Sequence, residues 1–377
     1  MERLNMTFNV DRNNLTDRDN LTQTICKYVK SDNLEIKFVL LVIVAPFLTT
    51  VGLLGNIISA VILMGPRVRG ANSLYLTALA VCDSGVLITA TMLYTVEIVY
   101  DYWSLPSLYA TWVHYLRPLF LLSHVFQVGA VYMTVAATVE RWLVIVAPRI
   151  KFACTIRSSC CTIVMILAAS FAFNFIRYWD ISVYEVPKCT GFARWGIAPS
   201  DLASNFLYRH WYQMWASSII VVFIPFMLLL ALNIHISWQI AKFASKSKRL
   251  GVHLVIIVVV TTFLICNSPS VIITLLENIN SSLLLNKNVY SFLKDTTNLL
   301  TMLNSSVNFF IYISFGNEFR KQLKETTLKL LLTLCSSLQR WTLGQKCYTD
   351  IMITLQMLEL DNRDVETYSP DRKQTGM

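Results

Sequence analysis

Charge is scarce in this chain. Asp, Glu, Lys and Arg make up 15% of its 377 residues, against roughly a quarter in average globular domains. Histidine is scarce as well, and its five copies are scattered at His114, His124, His210, His235 and His253. There is no HExxH, no GxSxG and no ligand-spaced histidine pair, so enzyme readings through those motifs are absent. The nine cysteines are thinly spread. The adjacent Cys160 and Cys161 cannot converge on one ion from a helix, and with Cys82 and Cys266 they read as small apolar packing. Neither a metal nor a cofactor is expected. The net charge of +9 comes without a compact basic patch interleaved with aromatics, which argues against nucleic acid as a partner. No internal repeat of the transporter kind is visible. The first residues, MERLNMTFNV, lack an apolar core, so the first membrane helix is expected to act as the targeting signal.

What the chain has is hydrophobic length. Of its residues 55% are hydrophobic, and mean hydropathy is +0.52. Seven long apolar stretches follow one another, with expected helix spans at 37–64, 74–100, 112–145, 159–178, 210–241, 249–277 and 292–314. A hydrocarbon layer needs roughly 20 apolar residues per crossing, because a helix satisfies its own backbone there. The expected fold class is an all-α membrane protein, a seven-transmembrane helix bundle. Residues 1–36 form a polar leading segment, 37–314 the bundle and 315–377 a tail. The tail opens with EFRKQLKETTLKLLLTLC, where Phe319, Leu323, Leu330 and Leu331 oppose Arg320, Lys321 and Lys324. That pattern predicts an amphipathic eighth helix on the bilayer surface, with Cys335 either palmitoylated or free.

Charge placement sets the orientation. Arg67, Arg69, Arg149, Lys151, Arg157, Lys242, Lys246, Lys248, Arg249, Arg320, Lys321 and Lys324 fall on one side. The opposite loops hold Glu97, Asp101, Asp180, Glu185, Asp201 and Glu277. The Lys/Arg-rich side is cytoplasmic by the positive-inside rule, which puts the N-terminus outside; the expected location is the plasma membrane. Sequons give an independent clue. Those at Asn5, Asn14 and Asn20 precede the first helix, and one at Asn280 lies in a later outside loop. All four are expected glycosylation sites. A further match at Asn304 sits in an apolar run, where no glycan is expected.

Polar groups inside a membrane are costly and point to function. Asn56, Asp83, Asn267, Asn304 and Asn308 lie within the first, second, sixth and seventh helices. Asp83 reads as essentially the one intramembrane acid. It needs an internal partner, and Asn56, Asn304 and Asn308 can supply amides. Together they make either a structural clasp or a switch. Glu140 and Arg141 sit at the inner end of the third helix, where a guanidinium beside a carboxylate can exchange partners when helices move; a snorkelling arginine is the plainer alternative. Pro225 and Pro269 bend the fifth and sixth helices.

This ordered set resembles the class A, rhodopsin-like G-protein-coupled receptors. The carrying segments are GNIIS around Asn56, YLTALAVCD ending at Asp83, TVERW around Arg141, FLICNSP ending at Pro269 and NFFIY from Asn308 to Tyr312. A narrower resemblance is to invertebrate FMRFamide-type neuropeptide receptors. It is carried by GNIISAVILMGPRVR, VYMTVAATVERW, FNFIRYWD, the RHW at Arg209–Trp211 and LNSSVNFFIYISFGNEFRK, covering most of residues 50–325. The resemblance implies an extracellular short amidated peptide as ligand and a heterotrimeric G protein as partner, with arrestin and the lipid bilayer as further partners. It also implies switch roles for Glu140, Arg141, Asp83, Asn56, Asn304, Asn308, Tyr312 and Pro269. A chemosensory or orphan receptor for a small non-amine ligand is the alternative within the fold.

The chain departs from the family pattern in several places. Asn267 stands where the toggle tryptophan usually sits, and Phe309 replaces the seventh-helix proline. Lys248 and Arg249 replace an acid at the foot of the sixth helix, which leaves Glu140 as the expected resting partner of Arg141. Ala130 replaces a serine often found near the family's sodium pocket, so sodium at Asp83 is an open question. The usual third-helix cysteine is missing from WVHYLRPL. Cys189 therefore lacks that partner, and a Cys26–Cys189 bridge is expected, with two free thiols as the alternative.

The ligand side is read from charge. The stretch FLLSHVFQ holds Ser123 and His124 but no acid, which disfavours an amine ligand. An arginine-aromatic amide would want an acid and an aromatic pocket. The expected contacts are Glu97, Glu277, His124, Tyr115, Trp211 and Trp215. Against this stands the reading of the acids as solvated, and of the aromatics as packing or interfacial anchors.

Overall fold

The computed structural model describes residues 26, 28, 30–31, 33–66, 68, 70–146, 155–243, 250–279 and 287–337. Asn5, Asn14, Asn20 and Asn280 lie outside these residues, as do Lys248, Arg249 and most of the loop after the third helix. The side chains of Glu277 and Cys335 also lie outside the description.

Among the described residues, eight long helices follow in chain order. They are α1 Leu34–Leu63, α2 Ala71–Tyr102, α3 Pro106–Val146, α4 Ile156–Trp179, α5 Tyr208–Lys242, α6 Leu250–Ile279, α7 Lys287–Phe315 and α8 Asn317–Ser337. The first six are long and apolar enough to cross a membrane alone. The seventh crossing qualifies together with α8, which turns away from it by 95°. The packing is inverted relative to a soluble bundle. On α4 the large apolar Val164 and Met165 face outward, 65% and 70% exposed, while Ser159, Ser170 and Asn174 are buried. Phe47, Met227, Ile234 and Ile265 also point outward. An apolar exterior over a partly polar interior is what a lipid solvent selects.

Proline explains part of the helix irregularity. Wide π-type turns run over Val39–Val44, just before Pro46, and over Ser218–Phe223, just before Pro225. Proline removes a ladder N–H and crowds the turn before it, so the carbonyls slip register. A π-type turn over Tyr208–Ala216 holds no proline, and neither does a further one over Thr91–Thr95. There the Thr91 hydroxyl donates to the Leu87 carbonyl and meets the Thr49 hydroxyl at 2.6 Å. Close helix approach is allowed by glycine. A Cβ on Gly85 would stand 2.4 Å from the Phe126 ring, between α2 and α3.

The loop between α4 and α5 is not helical throughout. Strands β1 Ile181–Glu185 and β2 Trp195–Pro199 pair antiparallel, with Ile181 opposite Pro199 and Glu185 opposite Trp195. The sequence reading gave no strand there. Five residues without alternating burial are too short to separate from loop in an otherwise helical chain. This hairpin marks one end of the bundle, and α8 marks the other.

Candidate functional site: polar groups from the hairpin end to the α8 end

At the hairpin end, Cys26 and Cys189 form a disulfide with a Cα–Cα separation of 5.4 Å. The segment that follows is strapped to α2. The Tyr28 hydroxyl donates to Asp101 Oδ1 at 3.1 Å, and the Ser31 N–H donates to Asp101 Oδ2 at 2.7 Å. Tyr28 stacks on Phe192 at 4.5 Å. Burial first, and then the Asp101 charge, push the Tyr28 phenol well above its ordinary range. The hairpin is tied to α3 without a disulfide: the Tyr109 hydroxyl donates to the Trp195 carbonyl at 2.9 Å, and His114 meets the Trp195 ring edge-on at 4.8 Å.

Below the strap lie the charges of α2 and α7. Glu97 is half-buried, and its charge, with those of Lys294 and Asp295, acts on Tyr94. Asp83 is not the one acid within the helices, as the sequence reading had it. Asp295 lies inside α7 with its side chain 17% exposed, and Lys37 of α1 reaches it at 3.6 Å while donating to Ser291 Oγ at 2.9 Å. His124 sits deeper on α3, its Nδ1 donating to the Phe120 carbonyl at 2.8 Å. That bond leaves Nε2 as the acceptor of the neutral ring.

The expected aromatics do not converge. Tyr115 packs into the cluster of Leu93, Tyr100, Tyr109 and Trp112. Trp211 and Trp215 lie on an exposed stretch of α5, where their rings flank His210 at 5.5 and 6.4 Å. A neighbouring network went unread in the sequence. Arg177 is buried between α4 and α5; it donates to Asn174 Oδ1 at 3.2 Å and Ser217 Oγ at 2.6 Å, and lies 3.9 Å from Asp180. Tyr208 donates to Asp180 Oδ1 at 2.6 Å. Burial pushes the Asp180 carboxyl up, against the pull of Tyr208 and Arg177. The i,i+3 spacing of Arg177 and Asp180 was the available signal.

In the middle of the bundle, Asn308 Nδ2 donates to Asp83 Oδ2 at 2.7 Å, joining α7 to α2. Asn56 does not reach Asp83; its Nδ2 donates to the Ser305 carbonyl at 3.0 Å, joining α1 to α7. Asn304 faces a small cavity together with Gln127 and Asn267. Pro269 lies inside α6, two residues beyond Asn267.

Toward the α8 end, Arg141 Nε lies 3.8 Å from Glu140 Oε2. That distance makes a loose ion pair, beyond hydrogen-bond range. Both side chains border a pocket of about 220 Å³, together with Tyr312, Phe319, Asn72 and Val255. Tyr312 is buried beside Phe319 of α8, ring centroids 5.5 Å apart. The next residue on α3 adds a tie to α5: the Trp142 indole N–H donates to His235 Nδ1 at 2.8 Å.

Residues 55–312 match the 7 transmembrane receptor (rhodopsin family) profile, and that match contains Asn56, Asp83, Glu140, Arg141, Asn267, Asn304, Asn308 and Tyr312. The chain belongs to this family. Rhodopsin-family membership makes it a multi-pass membrane receptor, not an enzyme. The receptor is similar to the FMRFamide receptor of Drosophila melanogaster, 28% identical over 319 residues that cover 79% of this chain and 56% of that protein. It is also similar to the FMRFamide peptide receptor frpr-18 of Caenorhabditis elegans, 24% identical over 291 residues, 72% of this chain and 66% of that one. A third relative is the probable G-protein coupled receptor frpr-1 of Caenorhabditis elegans, 27% identical over 311 residues, 77% of this receptor and 79% of that one. The receptor thus spans less than two thirds of the length of the first two relatives.

Proposed function

We propose that this receptor binds a short amidated, FMRFamide-like peptide at the hairpin end and passes the signal to a heterotrimeric G protein at the α8 end. The hairpin end, with the N-terminal segment and its sequons, faces outside; the Lys/Arg-rich α8 end faces the cytoplasm. The observation that supports this reading is the set of polar groups at three levels of the bundle, Glu97 and Asp295, then Asp83 and Asn308, then Glu140 and Arg141, in a chain similar to FMRFamide receptors. A cationic arginine of the peptide would meet carboxylates at the mouth, with Glu97 and Glu277 as anchors and His124 deeper in the bundle. Binding would favour a state in which the α8-end half of α6 swings outward at Pro269 and Arg141 leaves Glu140 for the G protein. Arrestin would compete for the same groove.

The test is expression with a promiscuous G protein and a screen of short amidated peptides, FMRFamide first, against free amines and small odorants. Dose-dependent nucleotide exchange with amidated peptides is the expected result. A response to small non-amine ligands alone would sink the peptide reading. Glu97→Gln or Glu277→Gln should raise the half-maximal FMRFamide concentration about tenfold, the scale of one charge-assisted contact, with surface expression intact.

A further inference from the structure

Replacing the usual tryptophan by Asn267 leaves a space in the middle of the bundle, and side-chain amides surround it. The cavity has about 20 Å³ of free volume and is bordered by Gln127 of α3, Asn267 of α6, and Thr301, Asn304 and Asn308 of α7. Three of these carboxamides have unused hydrogen-bonding capacity. Asn267 commits one N–H to the Phe263 carbonyl at 2.8 Å, leaving its oxygen as an acceptor. Among the described residues, neither Gln127 nor Asn304 makes a side-chain hydrogen bond. Gln127 sits mid-helix on α3, yet its side chain is open to this space. Polar groups left unsatisfied at membrane depth are expensive, so such a cluster calls for an occupant that can both donate and accept.

The chemistry narrows the occupant. Among the described residues, no charged side chain lines the cavity. The nearest acid, Asp83, lies behind Asn308 and is capped by its amide at 2.7 Å. A carboxylate would find no cation there and would face the wrong sign beyond. A neutral primary carboxamide offers one acceptor and two donors, the complement of glutamine and asparagine side chains. We propose that the cavity bordered by Gln127, Asn267 and Asn304 is the subsite for the terminal carboxamide of the peptide ligand, and the place where amide is told from free acid. The proposal rests on the peptide reading above and adds its deepest contact.

Size gives the subsite a second role. About 20 Å³ is room for a water, while Gln127 at its rim is exposed. A carboxamide gains room as α3, α6 and α7 spread at this level, two residues from Pro269. The group would therefore bind the spread state better than the resting one, which is the differential affinity an agonist needs.

Two measurements test this. In cells, FMRFamide and its free-acid counterpart are titrated on the wild type and on Gln127→Leu and Asn304→Leu, with surface expression recorded. The wild type should prefer the amide by at least about a hundredfold, as expected of a site built to hydrogen-bond the group it selects. In the variants the preference should fall below about tenfold, mainly by loss of amide potency. Variants that keep the wild-type ratio would overturn the subsite and leave the peptide reading standing. On the purified full-length receptor, N-acetyl-phenylalaninamide at millimolar concentration should raise the melting temperature and N-acetyl-phenylalanine should not. Asn267→Trp, which fills the cavity, should abolish that rise. Equal shifts from both compounds, or a sodium-dependent shift in place of the amide one, would overturn the subsite whatever the variants do. A wild type deaf to every amidated peptide of the screen yet stabilised by the amide fragment would overturn the peptide reading and keep the subsite.

Discussion

Asp83 is held chiefly by Asn308, with Ser305 close by. Asn308 donates to its Oδ2 at 2.7 Å, while its other oxygen has no hydrogen-bond partner. At 1% exposure the group cannot turn to water for replacement. Asn308→Ala should therefore cost more than an ordinary hydrogen bond, about 1.5–3 kcal/mol for a bond to a charged group. A lowered melting temperature in detergent would show it, and Asp83→Asn in the same background should restore part of the loss, because the uncompensated charge is gone. A loss that the second substitution does not relieve would mean that Asn308 acts through packing alone. Tyr28 makes the opposite case. Its hydroxyl shares Asp101 with the Ser31 N–H, so Tyr28→Phe leaves the carboxylate partnered and should cost about 1 kcal/mol or less, checked on the same melting curve.

At the scale of elements, the corner between α7 and α8 depends on one glycine. A Cβ on Gly316 would stand 2.6 Å from the Tyr312 carbonyl oxygen, the same oxygen that accepts from the Gly316 N–H at 2.9 Å. The obstacle is backbone, so no rotamer can relieve it. Gly316→Ala should shift α8 and destabilise the receptor by about 1–3 kcal/mol, seen as lower surface expression and melting temperature. Arg320 reinforces the corner by donating to the Ile313 and Ser314 carbonyls at 3.0 and 2.8 Å. Most of this architecture is legible in the sequence, because apolar run length and the GN break at Gly316–Asn317 are local signals. The third helix starts earlier than its apolar run, at Pro106, since proline suits a first turn and Tyr109 and Trp112 are buried against the hairpin. Partners were less legible than positions. Asp83 stood out, and the Cys26–Cys189 bridge was expected from the missing third-helix cysteine. Lys37–Asp295 and Trp142–His235 join helices far apart in the chain, and no periodicity reports such a contact. The bridge predicts that a membrane-impermeant maleimide labels no Cys26 thiol on intact cells until a mild reductant is added; labelling without reductant would refute it.

Across the whole molecule, the hairpin end and the α8 end must share one equilibrium if peptide binding is to reach a G protein. The loose Glu140–Arg141 pair is the clearest handle on it, with side chains 12% and 20% exposed. Glu140→Gln removes the charge and keeps the shape. A partly exposed pair of this kind is worth about 1 kcal/mol at most, which is about a fivefold change in the population of the state where Arg141 is released. Basal nucleotide exchange with purified heterotrimer should rise by that factor. Reciprocity then demands a second effect at the far end of the bundle. While the released state is the minor one, the apparent peptide dissociation constant scales inversely with its population. FMRFamide should therefore bind Glu140→Gln about fivefold more tightly, although the substitution lies a full membrane thickness from the hairpin. A rise in basal exchange with unchanged peptide affinity would place Glu140 at the G-protein contact alone. Matched factors at both ends would mean that one two-state bundle carries the signal.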